Sequence, residues 1–316
     1  MIVTGEKVNP SHDDRREFIG PLACPACGGP GKAVGLTLWT GEGDVVELGR
    51  CRSCRTQYWW RIAPGADRSS DYWEDYKFEL YEDTAVLRSY HERYARMLSL
   101  LSRLGISPVS LLDIGGGIGN FAEWAKGQGI SALMSDVDPV AVDSARGRGV
   151  LAYTPDELDS AVPKEGIDLV TLWDVVEHTA DPATMVREAL PRLRPGGVMF
   201  IETPDASFPA RQVLLKLRAF TRGRFDRTGS MYYWEHKVYF TERGLRTLLS
   251  QLGLRVLIVE RWTSPRAKIV KLFSRGGPQG VFALNRAIAR AYPMAQAALE
   301  RLRLGNKLIV VAIKDQ

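Results

Sequence analysis

Two of the four histidines in this 316-residue chain stand beside residues that could support proton transfer. His178 closes the segment Trp173-Asp-Val-Val-Glu-His178, directly after an apolar run, and His236 lies within Trp234-Glu-His-Lys-Val-Tyr-Phe-Thr241. Imidazole is the side chain best suited to take up a proton near neutral pH. We therefore predict His178 and His236, with the adjacent Asp174, as catalytic residues.

Two other interpretations of the same side chains remain open. Asp174 and Glu177 add carboxylates to the two imidazoles, and Glu177, His178 and His236 could hold a divalent metal such as Mg²⁺ that activates a substrate oxygen. The histidines could instead be structural. In that case His178 would cap a helix that begins near Asp181, and His236 would be a packing residue.

A glycine-rich turn suggests a second kind of chemistry, which is ligand binding by the backbone. The segment Ser110-Leu-Leu-Asp-Ile-Gly-Gly-Gly-Ile-Gly-Asn-Phe121 predicts a strand, a turn and the start of a helix over Phe121–Lys126. Glycines let backbone N–H groups approach a ligand that a Cβ would block. The spacing differs from the GxGxxG of a dinucleotide site. The predicted ligand-binding residues here are Asp113, Gly115, Gly116, Gly117 and Gly119.

The elements around these residues read as an α/β fold. A second apolar run, Ile130–Met134, leads to Asp136, where a carboxylate can accept hydrogen bonds from both hydroxyls of a ribose. Helical spacing resumes at Pro139–Arg146, and further buried strands are predicted over Gly166–Asp174 and Val198–Pro204. We expect a doubly wound sheet with its ligands at the carboxyl ends of the strands.

This order of motifs resembles the class I S-adenosylmethionine-dependent methyltransferases over about residues 85–262, with the last strand expected at 307–314. The two histidine segments resemble the branch that contains ubiquinone-pathway O-methyltransferases. The resemblance implies a Rossmann-like doubly wound, mostly parallel seven-stranded sheet with S-adenosyl-L-methionine as the cofactor. It also implies that Asp136 and Val137 lie at the cofactor's ribose side, that Asp156–Leu158 lie near the adenine, and that Trp173 and Asp174 lie beside the methyl group.

The four cysteines come in two pairs, Cys24-Pro-Ala-Cys27 and Cys51-Arg-Ser-Cys54. Two CxxC turns are typical of a zinc ribbon, in which four thiolates surround one Zn²⁺ and leave no open position for chemistry. Alternating residues over Val34–Leu38 and Asp44–Leu48 predict the strands between the two turns. We predict a structural zinc site, with two disulfides as the alternative, at Cys24, Cys27, Cys51 and Cys54.

Three segments follow from this organisation: a tail and zinc ribbon at 1–62, an aromatic connector at 63–84, and a methyltransferase domain at 85–316. The connector could be a lid over the substrate or a packing surface between the other two. Basic helical insertions are expected within the catalytic domain at 206–230 and 264–305.

Basic residues are concentrated in those insertions. Ala206–Arg227 has six basic residues and one acidic residue, and Arg261–Lys307 has ten and one, in a chain of net charge +5. Apolar residues at helical spacing in the first insertion predict a basic amphipathic helix; they are Val213, Leu214, Leu217 and Phe220. Such helices could contact a membrane surface or RNA, cover the active site, or form a dimer contact.

The function predicted from these features is S-adenosylmethionine-dependent O-methylation of a small-molecule, sugar or lipid-linked acceptor. The alternatives are a metal-dependent RNA 2′-O-methyltransferase and a non-catalytic S-adenosylmethionine-binding module. No apolar run reaches the length of about 18 residues that a membrane span requires. We expect a cytoplasmic protein, with peripheral contact at the inner membrane face as an open alternative.

Overall fold

The computed structural model describes residues 19–39, 45–62, 75–233, 235–265, 267 and 294–315. Strands in this part of the chain are numbered in chain order: β1 (Gly31–Trp39), β2 (Val45–Cys51), β3 (Gln57–Ile62), β4 (Ser110–Ile114), β5 (Ser131–Ser135), β6 (Leu151–Tyr153), β7 (Ile167–Trp173), β8 (Leu193–Pro204), β9 (Val238–Tyr239), β10 (Leu254–Trp262) and β11 (Lys307–Lys314). They form two sheets.

The helices are also numbered in chain order: α1 (Asp75–Glu82), α2 (Thr84–Arg103), α3 (Asn120–Gly127), α4 (Pro139–Gly147), α5 (Pro155–Ala161), α6 (Pro182–Ala189), α7 (Pro209–Phe220) and α8 (Glu242–Gln251). Residues 294–301 are also helical. None of the described helices combines the length and apolar character needed to cross a membrane.

The larger sheet has seven strands in the order β10-β11-β8-β7-β4-β5-β6. The pairs β4–β5, β4–β7, β5–β6 and β7–β8 are parallel, whereas β11 runs antiparallel to both β8 and β10. The central strand β7 is apolar along most of its length and is buried, as expected for a parallel strand covered on both faces. The predicted mostly parallel, seven-stranded α/β fold is confirmed.

Helices cover both faces of this sheet. Leu101 of α2, Phe121 of α3 and Val142 of α4 belong to one buried apolar cluster. Val186 of α6 and Leu248 of α8 belong to another. This arrangement leaves the carboxyl ends of the parallel strands accessible for ligands, as in other open α/β sheets.

The smaller sheet contains the predicted ribbon strands, in the order β1-β2-β3-β9. β1 and β2 confirm the two strands expected between the cysteine pairs, while residues 40–44, which connect them, lie outside the described residues. The fourth strand, β9, comes from the catalytic part of the chain, near residue 238. The ribbon is therefore joined to the catalytic region by backbone pairing and not only by the connector.

The first basic insertion forms the predicted helix, α7, but its apolar residues do not all turn inward. Val213 is 59% exposed and Phe220 is 87% exposed. The buried side chain is Arg211, whose guanidinium donates from Nη1 to the Met231 carbonyl at 2.7 Å and lies 4.2 Å from the ring centre of Tyr239. Most of the second insertion, including residues 268–293, lies outside the described residues.

Candidate active site

The glycine turn after β4 brings the backbone close to the ends of its neighbouring strands. Gly115, Gly117 and Gly119 have φ angles of 68°, 56° and 82°, which favour glycine. The Gly115 amide donates to the Ser135 carbonyl at 2.7 Å. A Cβ on Gly115 would lie 2.5 Å from Cγ2 of Val175. Both the backbone angles and the close approach therefore require glycine in this turn.

Asp136 lies directly after β5 and is tied to the glycine turn. Its Oδ2 accepts from the Gly117 amide at 2.8 Å, and its Oδ1 accepts from the Asp138 amide at 3.0 Å. Burial raises the pKa of Asp136, although these amide hydrogen bonds oppose the shift. The adjacent Val137 side chain is 73% exposed. A buried carboxylate and an accessible apolar side chain thus lie side by side at this edge of the sheet.

Asp113 is a second buried carboxylate, in β4 just before the glycine turn. Its Oδ1 accepts from the Thr171 hydroxyl at 2.7 Å. Burial, aided by the charge of Asp136, raises the pKa of Asp113 to about 7. Such carboxylates favour a ligand that brings positive charge and hydrogen-bond donors. The ammonium group and ribose hydroxyls of S-adenosylmethionine have this chemistry, so the residues present fit this cofactor.

Trp173, the last residue of β7, packs into an aromatic cluster. Its ring centre is 5.2 Å from that of Tyr94, 5.4 Å from that of Phe121 and 4.5 Å from that of Phe200. These contacts place the indole beneath α2 and α3. They explain why a bulky aromatic residue ends this strand, while its predicted contact with the cofactor stays a prediction.

Asp174 follows Trp173 in a left-handed backbone conformation, with φ of 54°, which is uncommon for a residue other than glycine. Its amide donates to the Glu202 carbonyl at 2.9 Å, and its carboxylate forms an ion pair with the ammonium group of Lys307. The structure thus places Asp174 opposite a lysine from the start of β11. Lys307 was not among the residues predicted from the sequence, in which its only signal is a cation at the start of an apolar strand.

Glu177 is fully buried beneath the loop that follows β7. Its Oε2 accepts from the Thr203 hydroxyl at 2.9 Å. Burial, together with the charge of Asp174, raises the pKa of Glu177 to about 8, against the opposing charge of Lys307. Its backbone carbonyl accepts from the amides of Lys237 and Val238 at 2.8 and 3.1 Å. The loop after β7 is therefore joined to the loop that carries His236.

The structure brings His178 and His236 together from these two loops. Their ring centres are 4.7 Å apart and the rings are perpendicular. Nδ1 of His178 lies 3.1 Å from the Glu235 carbonyl oxygen. Because a carbonyl can only accept, this contact assigns the proton to Nδ1 and leaves Nε2 with the lone pair. The side chain that caps α6 is that of Asp181, so the structure does not support the alternative in which His178 caps this helix.

Two chemical roles are compatible with this cluster. Ligand atoms of Glu177, His178 and His236 all lie within 4.8 Å of one another, which is close enough for a shared cation. The same imidazoles could act as bases without a metal. Asp174 is not one of the three residues of this group, and its carboxylate forms an ion pair with Lys307.

A buried ion pair joins Arg93 of α2 to Glu202 near the end of β8. Nε of Arg93 donates to Oε2 of Glu202 at 2.6 Å, and Nη1 of Arg93 donates to the Thr263 carbonyl at 2.5 Å. Arg93 belongs to α2, Glu202 to β8, and both are buried. Removing one partner of such a pair leaves an uncompensated buried charge, which is costly. This pair was not predicted from the sequence. It fixes α2 against the carboxyl ends of the strands, near Asp174.

The four cysteines form a compact cluster at one end of the ribbon. The Sγ atoms of Cys24 and Cys54 are 3.6 Å apart, and those of Cys27 and Cys51 are 3.5 Å apart. Tetrahedral zinc–thiolate geometry requires about 3.8 Å between sulfur atoms, whereas a disulfide requires about 2.05 Å. The amide of Ser53 also points at Sγ of Cys51 at 3.3 Å. The four thiols are free and their arrangement fits one zinc ion.

Comparisons with known proteins agree with this geometry. A family profile described as "Methyltransferase domain" matches residues 87–259, which is more than half of the chain. The ubiquinone biosynthesis O-methyltransferase of Methylobacterium sp. (strain 4-46) is 38% identical over 106 residues, covering 31% of this chain and 42% of that protein. The enzyme of the same name from Parvibaculum lavamentivorans is 26% identical over 151 residues, covering 46% and 58%.

The chain thus spans about half the length of these two curated relatives. Among solved structures, a SAM-dependent methyltransferase from Archaeoglobus fulgidus aligns with a TM-score of 0.48 at 19% identity, covering 76% of this chain and all of that one. The profile match covers the glycine turn, both carboxylates and the histidine loops. The chain belongs to the methyltransferase-domain family.

Proposed function

We propose that the chain transfers a methyl group to a hydroxyl of a small-molecule, sugar or lipid-linked acceptor. The observation that carries this proposal is the His178–His236 pair, which lies in the loops after β7 and before β9 and can accept a proton. A hydroxyl loses its proton on methylation, so a nearby base is the feature that distinguishes an O-methyltransferase site. Two curated relatives are named as O-methyltransferases.

The chain's own residues divide the work between binding and proton transfer. When bound, S-adenosylmethionine supplies a methyl group whose bond to sulfur breaks as its bond to the acceptor oxygen forms. Asp136 and Asp113 would hold the ribose and the ammonium group. Nε2 of His178 would take the hydroxyl proton, with His236 packed against the imidazole ring.

A lipid-linked acceptor is supported by the outer surface of α7. Val213 and Phe220 are exposed on this helix beside exposed basic residues, of which Lys216 and Arg222 are examples. Apolar side chains flanked by cations suit an interface with anionic lipid. Replacing Val213 and Phe220 by aspartate should therefore reduce methylation of a lipid-linked acceptor while leaving that of a water-soluble one unchanged.

The first test is transfer of labelled methyl from S-adenosylmethionine into a fractionated cell extract, with and without EDTA. We expect label in the small-molecule or lipid fraction, and we expect it to persist in EDTA. The His178→Ala variant serves as the control for label that does not depend on the site. Label confined to protein or nucleic acid would contradict the proposal.

A metal-dependent RNA 2′-O-methyltransferase is the second candidate. It is favoured by the convergence of Glu177, His178 and His236, since such a set could hold Mg²⁺ against vicinal substrate oxygens. It is weakened by the engagement of Asp174 with Lys307. Label in the RNA fraction that is lost in EDTA and restored by Mg²⁺ or Mn²⁺, but not by Zn²⁺, would establish this alternative.

We also propose that the four cysteines hold a structural zinc ion, supported by the sulfur spacings. One zinc per chain, released only when the thiolates are titrated with a mercurial, is the expected result of metal analysis. A protein purified with no bound metal and four reactive thiols would contradict it.

A further inference from the structure

The ribbon is joined to the candidate active site by hydrogen bonds, and not only through the connector that follows it in sequence. β9 pairs with β3 in the register Gln57↔Tyr239 and Tyr58↔Val238. The amide of Trp59 then donates to the Lys237 carbonyl at 2.9 Å. Because β9 begins two residues after His236, the outer strand of the ribbon fixes the backbone that carries this imidazole.

The cysteine cluster itself reaches the other end of β9. The Thr241 hydroxyl donates to the Cys54 carbonyl at 2.6 Å. The hydroxyl oxygen of Thr241 also accepts from the Gly244 amide at 3.0 Å, and this bond caps the first turn of α8. The Thr241 amide donates to the Thr56 hydroxyl at 3.4 Å. One threonine thus links a predicted zinc ligand to the helix that follows the active-site loop.

The loop that carries His236 also makes hydrogen bonds to Glu177 and His178, in the loop after β7. Its Lys237 amide donates to the Glu177 carbonyl at 2.8 Å, and its Glu235 carbonyl accepts from Nδ1 of His178 at 3.1 Å. On the ribbon side, the Tyr232 hydroxyl donates to Oε1 of Gln57 at 2.8 Å. Residue 232 and residues 235–241 therefore make hydrogen bonds both to the ribbon and to the loop after β7.

We propose that the four-cysteine ribbon positions the acceptor side of the active site, by holding residues 235–241 so that His178 and His236 meet. This inference rests on the proposed function of the two histidines. The ribbon contacts at residues 232, 238, 239 and 241 all lie within five residues of His236. Contacts that only stabilised the fold could lie anywhere on the catalytic domain. The ribbon should accordingly govern turnover and the setting of the two imidazoles, while the glycine turn continues to bind S-adenosylmethionine.

The test uses the full-length protein and the Thr241→Val variant, which removes the hydroxyl bonded to Cys54. Thr247→Val is the matched control, because it makes the same change in α8 where the hydroxyl donates to the Arg243 carbonyl. Three quantities are measured: kcat with the acceptor, Kd for S-adenosylmethionine, and the imidazole signals of His178 and His236 in ¹⁵N-histidine NMR spectra. Thr241→Ser restores the hydroxyl and should rescue all of them.

We expect Thr241→Val to lower kcat at least tenfold and to shift both imidazole signals, with Kd changed by less than twofold. Zinc release by a mercurial should produce the same pattern. Unaltered imidazole signals and turnover in Thr241→Val or in zinc-free protein would overturn the proposal, as would loss of S-adenosylmethionine binding in parallel with turnover. If His178→Ala and His236→Ala both retain full turnover, the proposed function fails, while the NMR shifts still decide whether the ribbon positions the loop.

Discussion

The proposed cofactor side and the proposed acceptor side of this site are built in different ways. On the cofactor side, Asp113 and the glycine turn are contiguous in sequence, and Asp136 lies seventeen residues after Gly119. On the proposed acceptor side, His178 and His236 are 58 residues apart, and the backbone just after His236 pairs with a ribbon strand that begins at Gln57. The cofactor side is thus formed by one strand and the turn that follows it, with one acid from the next strand. The acceptor side is formed by segments that are far apart in sequence.

This difference implies that the two sides can be damaged separately. A local turn retains its shape as long as its strands are paired, whereas an assembled site loses its geometry when any one contributor moves. Variants on one side should therefore leave the measured property of the other side intact. The following predictions test that separation, beginning with the largest expected effect.

The largest effect is expected from removing the base. His178→Ala should lower kcat by about 10² to 10⁴-fold, the usual contribution of a positioned general base, while Kd for S-adenosylmethionine stays the same. Single-turnover kinetics and calorimetric titration measure the two quantities. His91→Ala, on the exposed side of α2, is the control. A Kd that weakens together with kcat would show that the two sides are not separable.

An intermediate effect is expected on the cofactor side. Asp136→Ala should weaken S-adenosylmethionine binding by about 1–3 kcal/mol, the range for hydrogen bonds to a charged group. Titration of the cofactor measures this loss, and Asp143→Ala, at an exposed carboxylate of α4, is the matched control. At saturating cofactor, kcat should recover most of its value. An unchanged Kd would remove Asp136 from the ribose site.

The smallest effect is a pH dependence of cofactor affinity that arises from Asp113. With a pKa of about 7, its carboxylate becomes protonated as the pH falls, so affinity for a cationic ligand should drop. Between pH 7 and pH 6 we expect roughly fivefold weaker binding. Asp113→Asn should bind weakly but with a flat profile. A wild-type Kd that does not vary over this interval would contradict the assignment.

The same group should affect folding with the opposite sign. Because the pKa of Asp113 is raised in the folded state from its usual 3.8, ionisation costs folding free energy. Its contribution to stability is greatest below about pH 4 and is lost as the pH rises towards 7. As the pH rises from 4 to 7, the unfolding free energy of the wild type should therefore fall relative to that of Asp113→Asn.

What could be predicted from sequence follows the same division. The glycine turn, the acid after β5 and the four cysteines were found because each is a short motif with a defined geometry. In each case the physical signal lies within one element or between adjacent ones, so no knowledge of tertiary contacts was needed.

The missed features all depend on distant pairings. Lys307 meets Asp174 only because β11 inserts between β8 and β10, and Arg93 meets Glu202 only when α2 packs on the sheet. The outward direction of Val213 and Phe220 follows from the burial of Arg211 against aromatic rings. Helical periodicity identified an apolar face on α7 but could not say which face would be covered.

The two residues of β9 also have a consequence for how the chain folds during synthesis. The ribbon strands β1 to β3 leave the ribosome long before residue 238, and until then the outer edge of β3 has no β9 to pair with. An open strand edge is a template for association with other chains. Pairing at this edge therefore waits for about 180 further residues, and a fragment ending near residue 62 should self-associate through the edge of β3 that β9 covers in the full chain.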